Sequence, residues 1–406
     1  VGRFTTRLKA GALSLRRPVV SRTMRLLHTS DWHLGRSFHR ENLLDAQAAF
    51  VDHLIETVRA ERVDVVLVAG DLYDRALPPV DAVRLFGEAL ARIRDTGARA
   101  VLISGNHDSM VRLDYATGLI DAAGVHLRSS LDQVGTPVLI EDEHGPVAFY
   151  GIPYLEPEIA RHHWGLTRRG HPAVLGHAME RVRAELAGRP AHTRSVVLSH
   201  AFVSGGDSSD SERDISVGGA AHVPVSVFDG VDYVALGHLH GWQRMSETAR
   251  YSGSPLAYSF SEEHQRKGYW IVDLATSGVA ATEFVAAPVP RPIARISGCI
   301  DDLLTAPEWE RYTDHWLQVT LTDPLRPAFP MDRLRERFPH ALHLDFAPEN
   351  ERVADGGSWT RRVADRDDPD LVLDFVDWAR GSPSTADERR LVRSAFEDLR
   401  AREAAR

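Results

Sequence analysis

The stretch HTSDWHLGRSF (28–38) sets Asp31 and His33 two residues apart, directly behind the apolar run Met24 to Leu27. The same setting recurs four more times. Asp71 ends VDVVLVAGD (63–71), Asn106, His107 and Asp108 end ARAVLISGNHD (98–108), His200 ends SVVLSH (195–200), and His238 and His240 end DYVALGHLH (232–240). Mixed oxygen and imidazole donors suit manganese, iron or zinc better than calcium. Seven of these residues divide into two sets: Asp31, His33 and His240 for a first divalent ion, Asn106, His200 and His238 for a second, with Asp71 bridging. One carboxylate can span ions about 3.5–4 Å apart, the spacing used for in-line displacement at phosphorus. Manganese is the first choice of metal.

Each piece is weak by itself, because Asp-x-His pairs arise by chance and a lone histidine behind a strand is usually a satisfied structural residue. GNHD and GHLH are rarer, and five such segments in order, each behind an apolar run, argue for a common site. His107 is the spare imidazole beside Asn106. It is the candidate to stabilise the transition state or protonate the departing oxygen, with Asp108 orienting it; a purely buttressing role is the alternative. Gly70, Gly105 and Gly237 precede ligand residues, where the chain must turn sharply and approach the metals closely.

The elements that must position these groups follow from periodicity. Leu43, Phe50, Val51, Leu54 and Val58 trace one helical face, and Val83, Phe86, Leu90 and Ile93 another, between β-rich runs. Either face would pack on the sheet or serve a dimer contact. In α/β sheets the loops at the carboxyl ends of strands gather along one edge, where ligands bind. A linker, APVPRP (287–292), is followed by a small α/β pattern: a strand near Ala294–Ile296, a helix near Asp301–Arg311, the strand HWLQVTLT, the helix PMDRLRERF and the strand HALHLDF. Beyond Ala354 the chain turns charged and helical. Leu371, Phe375 and Trp378, then Leu391, Ala395 and Leu399, line faces that would pack on the body or dock in a partner. The boundaries expected are a basic disordered extension (1–23), a catalytic domain (24–287), a capping domain (288–350) and a C-terminal helical docking region (351–406).

Composition narrows the class. At 406 residues, 43% apolar and 26% charged, the chain is ordinary and globular. Its one cysteine, Cys299, excludes an internal disulfide framework and a thiolate-rich metal site, and points to a reducing compartment, the cytoplasm. No apolar stretch approaches the roughly 20 residues that span a bilayer. Residues 1–23 hold six basic side chains and no acid, which fits a translation start upstream of Met24, a basic arm for nucleic acid, or an organellar transit peptide. Without those six of its 48 basic residues, and with all 57 acids, the net charge falls from −9 to −15. Such a body is a poor binder of DNA by bulk charge, so metal ions and a local cleft or partner would have to hold the phosphates.

These segments resemble the calcineurin-like metallophosphoesterases. LLHTSDWHLGRSF, AGDLYDRALPP, SGNHDS, DSERDISVGG, VDYVALGHLH and YSGSPLAYSFSE are similar, within that superfamily, to the SbcD-type bacterial exonuclease subunits, closely from about Met24 to Leu274 and more weakly beyond. The resemblance implies an α/β fold: a metallophosphoesterase β-sandwich flanked by helices, with a small α/β capping domain and C-terminal helices. It implies a DNA nuclease with double-strand 3′–5′ exonuclease and endonuclease activity, including hairpin opening, in DNA repair and recombination. The implied partner is an SbcC-type coiled-coil ATPase, bound through the C-terminal helices in a heterotetramer containing two copies of each chain, associated with the nucleoid when on DNA. Relatives outside bacteria carry a catalytic histidine where GDLYD has Asp74, which puts a second catalytic histidine in doubt. The alternatives are a cyclic-nucleotide or other small phosphodiesterase, or a protein phosphatase, on the same dimetal core, and a non-catalytic scaffold.

Overall fold

The computed structural model describes residues 23–115, 117–213, 222–348, 367–380 and 382–404. The basic extension expected at 1–23 therefore lies outside the described residues apart from Thr23, as do residues 214–221 and the first part, 351–366, of the expected docking region. The chain forms two compact units. One comprises the chain to Ser37, Asn42–Leu256 and Gln265–Pro288; the other comprises Phe38–Glu41, Ala257–His264 and everything from Val289 onward.

The first unit is built on two six-stranded sheets. In the first sheet, Met24–Thr29, Val65–Ala69, Arg99–Ile103 and Val125–Arg128 run parallel, and Gly268–Ala275 and Gly278–Ala286 add antiparallel strands beside Met24–Thr29. In the second, Gly145–Ile152, Arg194–His200, Tyr233–Gly237 and Ala249–Tyr251 run parallel between antiparallel edges Val138–Asp142 and Gln243–Arg244. The apolar runs are continuous because both faces are covered. Val65, Leu67, Ala69, Val101 and Ile103 pack between the sheets against Phe149, Val196, Leu198 and Ala235. Their neighbours Val66, Val68, Ala100 and Leu102 face the helices Leu44–Ala60 and Val80–Asp95, which supply Phe50, Leu54, Ile55, Phe86 and Ile93. The two helical faces read from the sequence thus serve this core, except that Val83 of the second face is exposed. The second sheet's outer face is closed by the helix His171–Leu186, through Val174, Leu175, Ala178, Met179 and Val182.

In the second unit, Ile293–Gly298, Trp316–Leu321 and Ala341–Phe346 form a parallel three-stranded sheet. The helix expected at 301–311 ends at Thr305, and a separate 3-10 segment, Pro307–Tyr312, follows. Pro307 lacks the N–H that would continue the α-helical ladder. Leu303, Leu334 and Phe338 close the core over Ile296 and Val319. The C-terminal helices are Asp368–Arg380 and Ala386–Ala404, joined by an Arg380–Glu388 ion pair at 2.6 Å. Of the first helix Pro369 and Leu373 are buried, whereas Phe375, Trp378, Leu391 and Leu399 are each at least half exposed. Among the described residues no helix is long and apolar enough to cross a membrane.

Candidate active site

Five strand ends deliver the expected ligands, three from the first sheet and two from the second, so the edge that gathers them is shared between two sheets rather than belonging to one. The sheets meet there: His200, last in its strand, donates from Nδ1 to the Ala69 carbonyl across the sandwich at 2.9 Å. Four of the residues sit in the left-handed region, Asp31 (φ 54°), His33 (φ 45°), Asp71 (φ 49°) and His238 (φ 111°). That conformation costs a non-glycine residue roughly 1–3 kcal/mol and persists only where the surroundings enforce it. Here the turns bind each other: Asp31 N donates to Gly70 O and His33 N to Asp71 O, both at 3.0 Å. Gly70 needs its φ of 94°, and a Cβ there would lie 2.4 Å from His200 Nδ1. Gly105 has no unusual φ; it is required for space, since its Cβ would fall 2.1 Å from Asp71 Oδ1.

Asp31, His33, Asp71, His200, His238 and His240 are buried, with Asn106 half-buried among them. Asp31, His33 and His240 bring one ligand atom each within 4.8 Å of one another, and Asp31, Asp71 and His200 do the same. Asp71 Oδ2 lies 3.5 Å from His33 Nε2 and 3.5 Å from His200 Nε2. His33 Nε2 faces His240 Nε2 at 3.1 Å. Asn106 Oδ1 lies 2.8 Å from His200 Nε2 and 3.2 Å from His238 Nδ1.

The protonation pattern shows what these contacts are for. His200 donates from Nδ1 to a carbonyl, which can only accept, so in the neutral ring Nε2 carries a lone pair. Burial holds His200 below the usual imidazole range, only partly offset by Asp71, and so keeps the ring neutral. Its lone pair then faces the Asn106 carbonyl oxygen, another acceptor, while the buried Asn106 Nδ2 has no partner. Converging acceptors without a hydrogen between them suit a cation. The donor set fits the two-ion centre expected from the sequence. Without a cation, burial and the Asp71 charge raise Asp31 well above the ordinary carboxylate range, and burial followed by neighbouring imidazoles lowers His33 and His238.

His107 stands over the first ligand set, its ring edge-on to His33 with centroids 4.7 Å apart. Its backbone N–H donates to Asp71 Oδ1 at 2.8 Å, and its Nδ1 to the Asp74 carbonyl at 2.7 Å. Asp108 does not orient it, contrary to the expectation. The Asp108 carboxylate accepts the backbone N–H groups of Gly105, Leu72 and Tyr73 at 2.9–3.0 Å, tying the two strand-end loops together. Burial and Asp71 push it up to about 7, against the pull of those three amides. Asp74 Oδ1 lies 3.9 Å from His33 Nδ1 and 3.7 Å from Arg36 Nε, so Asp74 borders the site.

Sequence reading missed the residues that hold the ligands. Ser30 Oγ donates to Asp31 Oδ2 at 2.6 Å. Ser211 Oγ lies 2.5 Å from His240 Nδ1, and Glu212 Oε1 accepts the His240 N–H at 2.8 Å. Buried Lys267 donates to the His240 carbonyl at 2.9 Å, and Arg213 to the Asn106 carbonyl at 3.1 Å. Ser211, Glu212 and Arg213 belong to the Ser- and Gly-rich stretch that reads as a connecting loop. The one signal was its DSER segment, polar residues with no periodicity to place them.

Three solved structures match about two thirds of the chain. A Thermus thermophilus protein is 13% identical over 66% of this chain and 100% of its own, with a TM-score of 0.39. A dimetal phosphatase from Danio rerio is 15% identical over 66% and 100%, with a TM-score of 0.37. An archaeal phosphodiesterase is 10% identical over 64% and 100%, with a TM-score of 0.31. The model of the type 5 capsule protein repressor C-terminal domain, SbcD_C, matches residues 289–377. The calcineurin-like phosphoesterase model matches residues 24–242, more than half of the chain and every candidate ligand, and the chain belongs to that family of metal-dependent phosphoester hydrolases.

Proposed function

We propose that the protein is a DNA nuclease, a double-strand 3′–5′ exonuclease and endonuclease that also opens hairpins, serving as the nuclease subunit of an SbcCD-type repair complex. The observation that carries this reading is the pairing, in one chain, of the buried His/Asp ligand cluster with an SbcD_C match at 289–377. Asp31, His33 and His240 would hold one ion, Asn106, His200 and His238 the other, and Asp71 would bridge them. Manganese suits this oxygen-and-imidazole set. When bound, the ions supply the charge that activates the attacking water and stabilises the developing charge at phosphorus.

The chain's own residues do the rest. His107 donates Nδ1–H to the Asp74 carbonyl, which aims the opposite edge of the ring away from that loop. In the imidazolium form, with both ring nitrogens protonated, Nε2 would give its proton to the departing oxygen and leave the neutral ring still bonded to Asp74 through Nδ1. Asp108 keeps the two loops in register so that Asp71 and His107 stay together. The acidic body leaves DNA holding to the cleft and to an ATPase partner, for which the exposed Trp378, Leu391 and Leu399 supply an apolar surface. A homodimer would find exposed apolar side chains at Leu77, Val80 and Val83 and at Val111, Tyr115 and Leu119.

The test is turnover with manganese of an end-labelled hairpin duplex and of a cyclic mononucleotide, each with and without the cognate coiled-coil ATPase and ATP. Duplex cleavage that rises with the ATPase is expected. Rapid hydrolysis of the cyclic nucleotide with an untouched duplex would replace this reading with that of a small-molecule phosphodiesterase.

A further inference from the structure

Arg250 is a buried cation outside the candidate metal site. It stands in the strand Ala249–Tyr251, beside Tyr233–Gly237, and only 3% of it is exposed. Its guanidinium lies 5.5 Å from the centroid of the Trp270 ring. Among the described residues its side chain makes one hydrogen bond, from Nη1 to the Glu247 carbonyl at 2.9 Å; Nε has no partner, and no carboxylate pairs with it. Buried charges are ordinarily paired, because the hydration they lose is otherwise not replaced. A carbonyl and the face of a ring supply part of that replacement. Burial holds Arg250 below the usual guanidinium range, and Arg244 pushes the same way, against Tyr233 and Glu247.

Arg250 and Arg244 both border a cavity of about 420 Å³, whose opposite wall is the start of the strand Gly278–Ala286. The small side chains of Ala280 and Ala281 leave it open, and Thr282 adds a hydroxyl. Its two carboxylates are engaged. Asp232 Oδ2 accepts the Ser195 N–H at 2.7 Å and the Ser195 hydroxyl at 3.0 Å, while Glu247, largely in water, pairs with Arg244. Val231 and Asp232 line the cavity and precede Tyr233–Gly237, whose other end leads to His238. A strand of that length, about 16 Å, separates the cavity from the candidate ligands.

We propose that this cavity is a binding site for a phosphate-class oxyanion, either free phosphate or the phosphomonoester of a nucleotide, held by the guanidiniums of Arg250 and Arg244 with Thr282 as a further donor. Guanidinium groups suit such anions because their parallel N–H donors meet two oxygens at once. The anion would supply Arg250 with the counter-charge it lacks. It would also replace Glu247 as the partner of Arg244, at little cost, since an ion pair that exposed contributes little. The site is separate from the metal cluster and does not depend on which phosphoester the protein hydrolyses.

The experiment is calorimetric titration and thermal melting of the full-length protein, with divalent ions chelated, against inorganic phosphate and against deoxyadenosine 5′-monophosphate. The proteins are wild type, Arg250→Met, Arg244→Gln and Asp31→Asn. Wild type should bind phosphate and gain Tm with it, and Asp31→Asn should do the same because the metal cluster takes no part. Arg250→Met removes an unpaired buried charge, so it should melt at or above the wild-type temperature in anion-free buffer and gain nothing from phosphate. Arg244→Gln changes a half-exposed side chain and should fold as wild type does, yet bind at least about tenfold more weakly, the loss expected for one charged hydrogen-bonding partner. If Arg250→Met does not fold, Arg244→Gln decides. Tighter binding of the nucleotide than of phosphate assigns the site to a phosphomonoester, and weaker binding assigns it to the free ion. No phosphate binding by wild type, loss of binding in Asp31→Asn, or wild-type binding by both arginine variants overturns the proposal and leaves Arg250 a packing residue of the core.

Discussion

Asp71 and His107 are joined at 2.8 Å through the carboxylate Oδ1 and the backbone N–H, while the other carboxylate oxygen is turned toward the imidazoles of His33 and His200. A single side chain thus ties the expected acid to the expected bridge. Asp71→Asn keeps the size but loses the charge, and its carboxamide Nδ2 is a donor where an acceptor is needed. The variant should lose measurable binding of a second ion and lower turnover by about a thousandfold or more. Calorimetric titration with manganese beside a hydrolysis assay measures both.

His107→Ala separates chemistry from metal holding. His107 belongs to neither proposed ligand set, although it groups with His33 and Asp74; its Nδ1 is bonded to the Asp74 carbonyl, and alanine retains the N–H to Asp71. Both ions should still bind with wild-type affinity. Turnover should fall by roughly a hundredfold or more, the ordinary worth of a general acid, and substrates with better leaving groups should recover part of it. Unchanged turnover would return His107 to a buttressing role.

The candidate ligand cluster was legible because each candidate stands where an apolar run stops, a relationship local in the chain. Asp71, His200 and His238 could be placed from VDVVLVAGD, SVVLSH and DYVALGHLH alone. The division of those strands between two sheets was not legible from residue pattern. Val65–Ala69 and Tyr233–Gly237 are both buried on two faces, and nothing in the run of residues says which neighbour each pairs with. The helix His171–Leu186 did carry a signal, buried residues at 171, 174, 175, 178, 179 and 182, but the polar His171 dilutes its apolar face. The edge strand Gly278–Ala286 is mostly exposed or half-exposed and shows little contrast between faces. Ser211 and Glu212 reach His240 only after the fold brings residues 29 and 28 positions apart together, which no local pattern records.

Removing the ions should expose the electrostatic cost of the cluster. Burial and Asp71 raise the Asp31 carboxyl in the ion-free protein. Stability from a group raised in the folded state is fully present below its unfolded value, about 4 for a carboxyl, and is lost as pH rises through the folded value. The buried His33 and His238 are lowered, so their contribution is present above about 6.5 and is lost as pH falls. Chelated wild type should therefore lose Tm relative to chelated Asp31→Asn as pH rises from about 4 towards neutrality, and added manganese should cancel the difference. Thermal melts of the two proteins across that range, with and without metal, give the sign directly.

Gly105→Ala tests the close approach of the second loop without replacing a candidate ligand. The added methyl would meet Asp71 Oδ1 at 2.1 Å and its backbone N at 2.3 Å, so the loop must move. Asp108 binds Gly105 N on one side and Leu72 and Tyr73 N on the other, so the displacement would pass to both strand ends. A loss of about 2 kcal/mol or more in ion-free stability is expected, with a larger loss of metal affinity at the second site than at the first. Equal losses at both sites would mean that the loop moves as a rigid whole and carries Asp71 with it.

The C-terminal helices make the last prediction. Leu373 is buried in the first, while Phe375, Trp378, Leu391 and Leu399 stand at least half exposed on segments cross-linked by polar contacts, Arg380 to Glu388 and Asp377 to Ser384. Aromatic and leucine side chains at least half exposed on paired helices suit burial against an apolar partner surface such as the base of a coiled coil. Truncation before Asp367 removes both helices and leaves the ligand cluster whole. The truncated protein should bind manganese and hydrolyse a generic phosphodiester as wild type does, yet fail to co-elute with the coiled-coil ATPase. Trp378→Glu with Leu391→Glu in the full chain should weaken that association at least about tenfold, the loss expected of buried apolar anchors, while leaving the ion titration unchanged. Co-elution of the truncated chain would move the docking surface off these helices, and loss of ion binding would show that they support the catalytic unit instead.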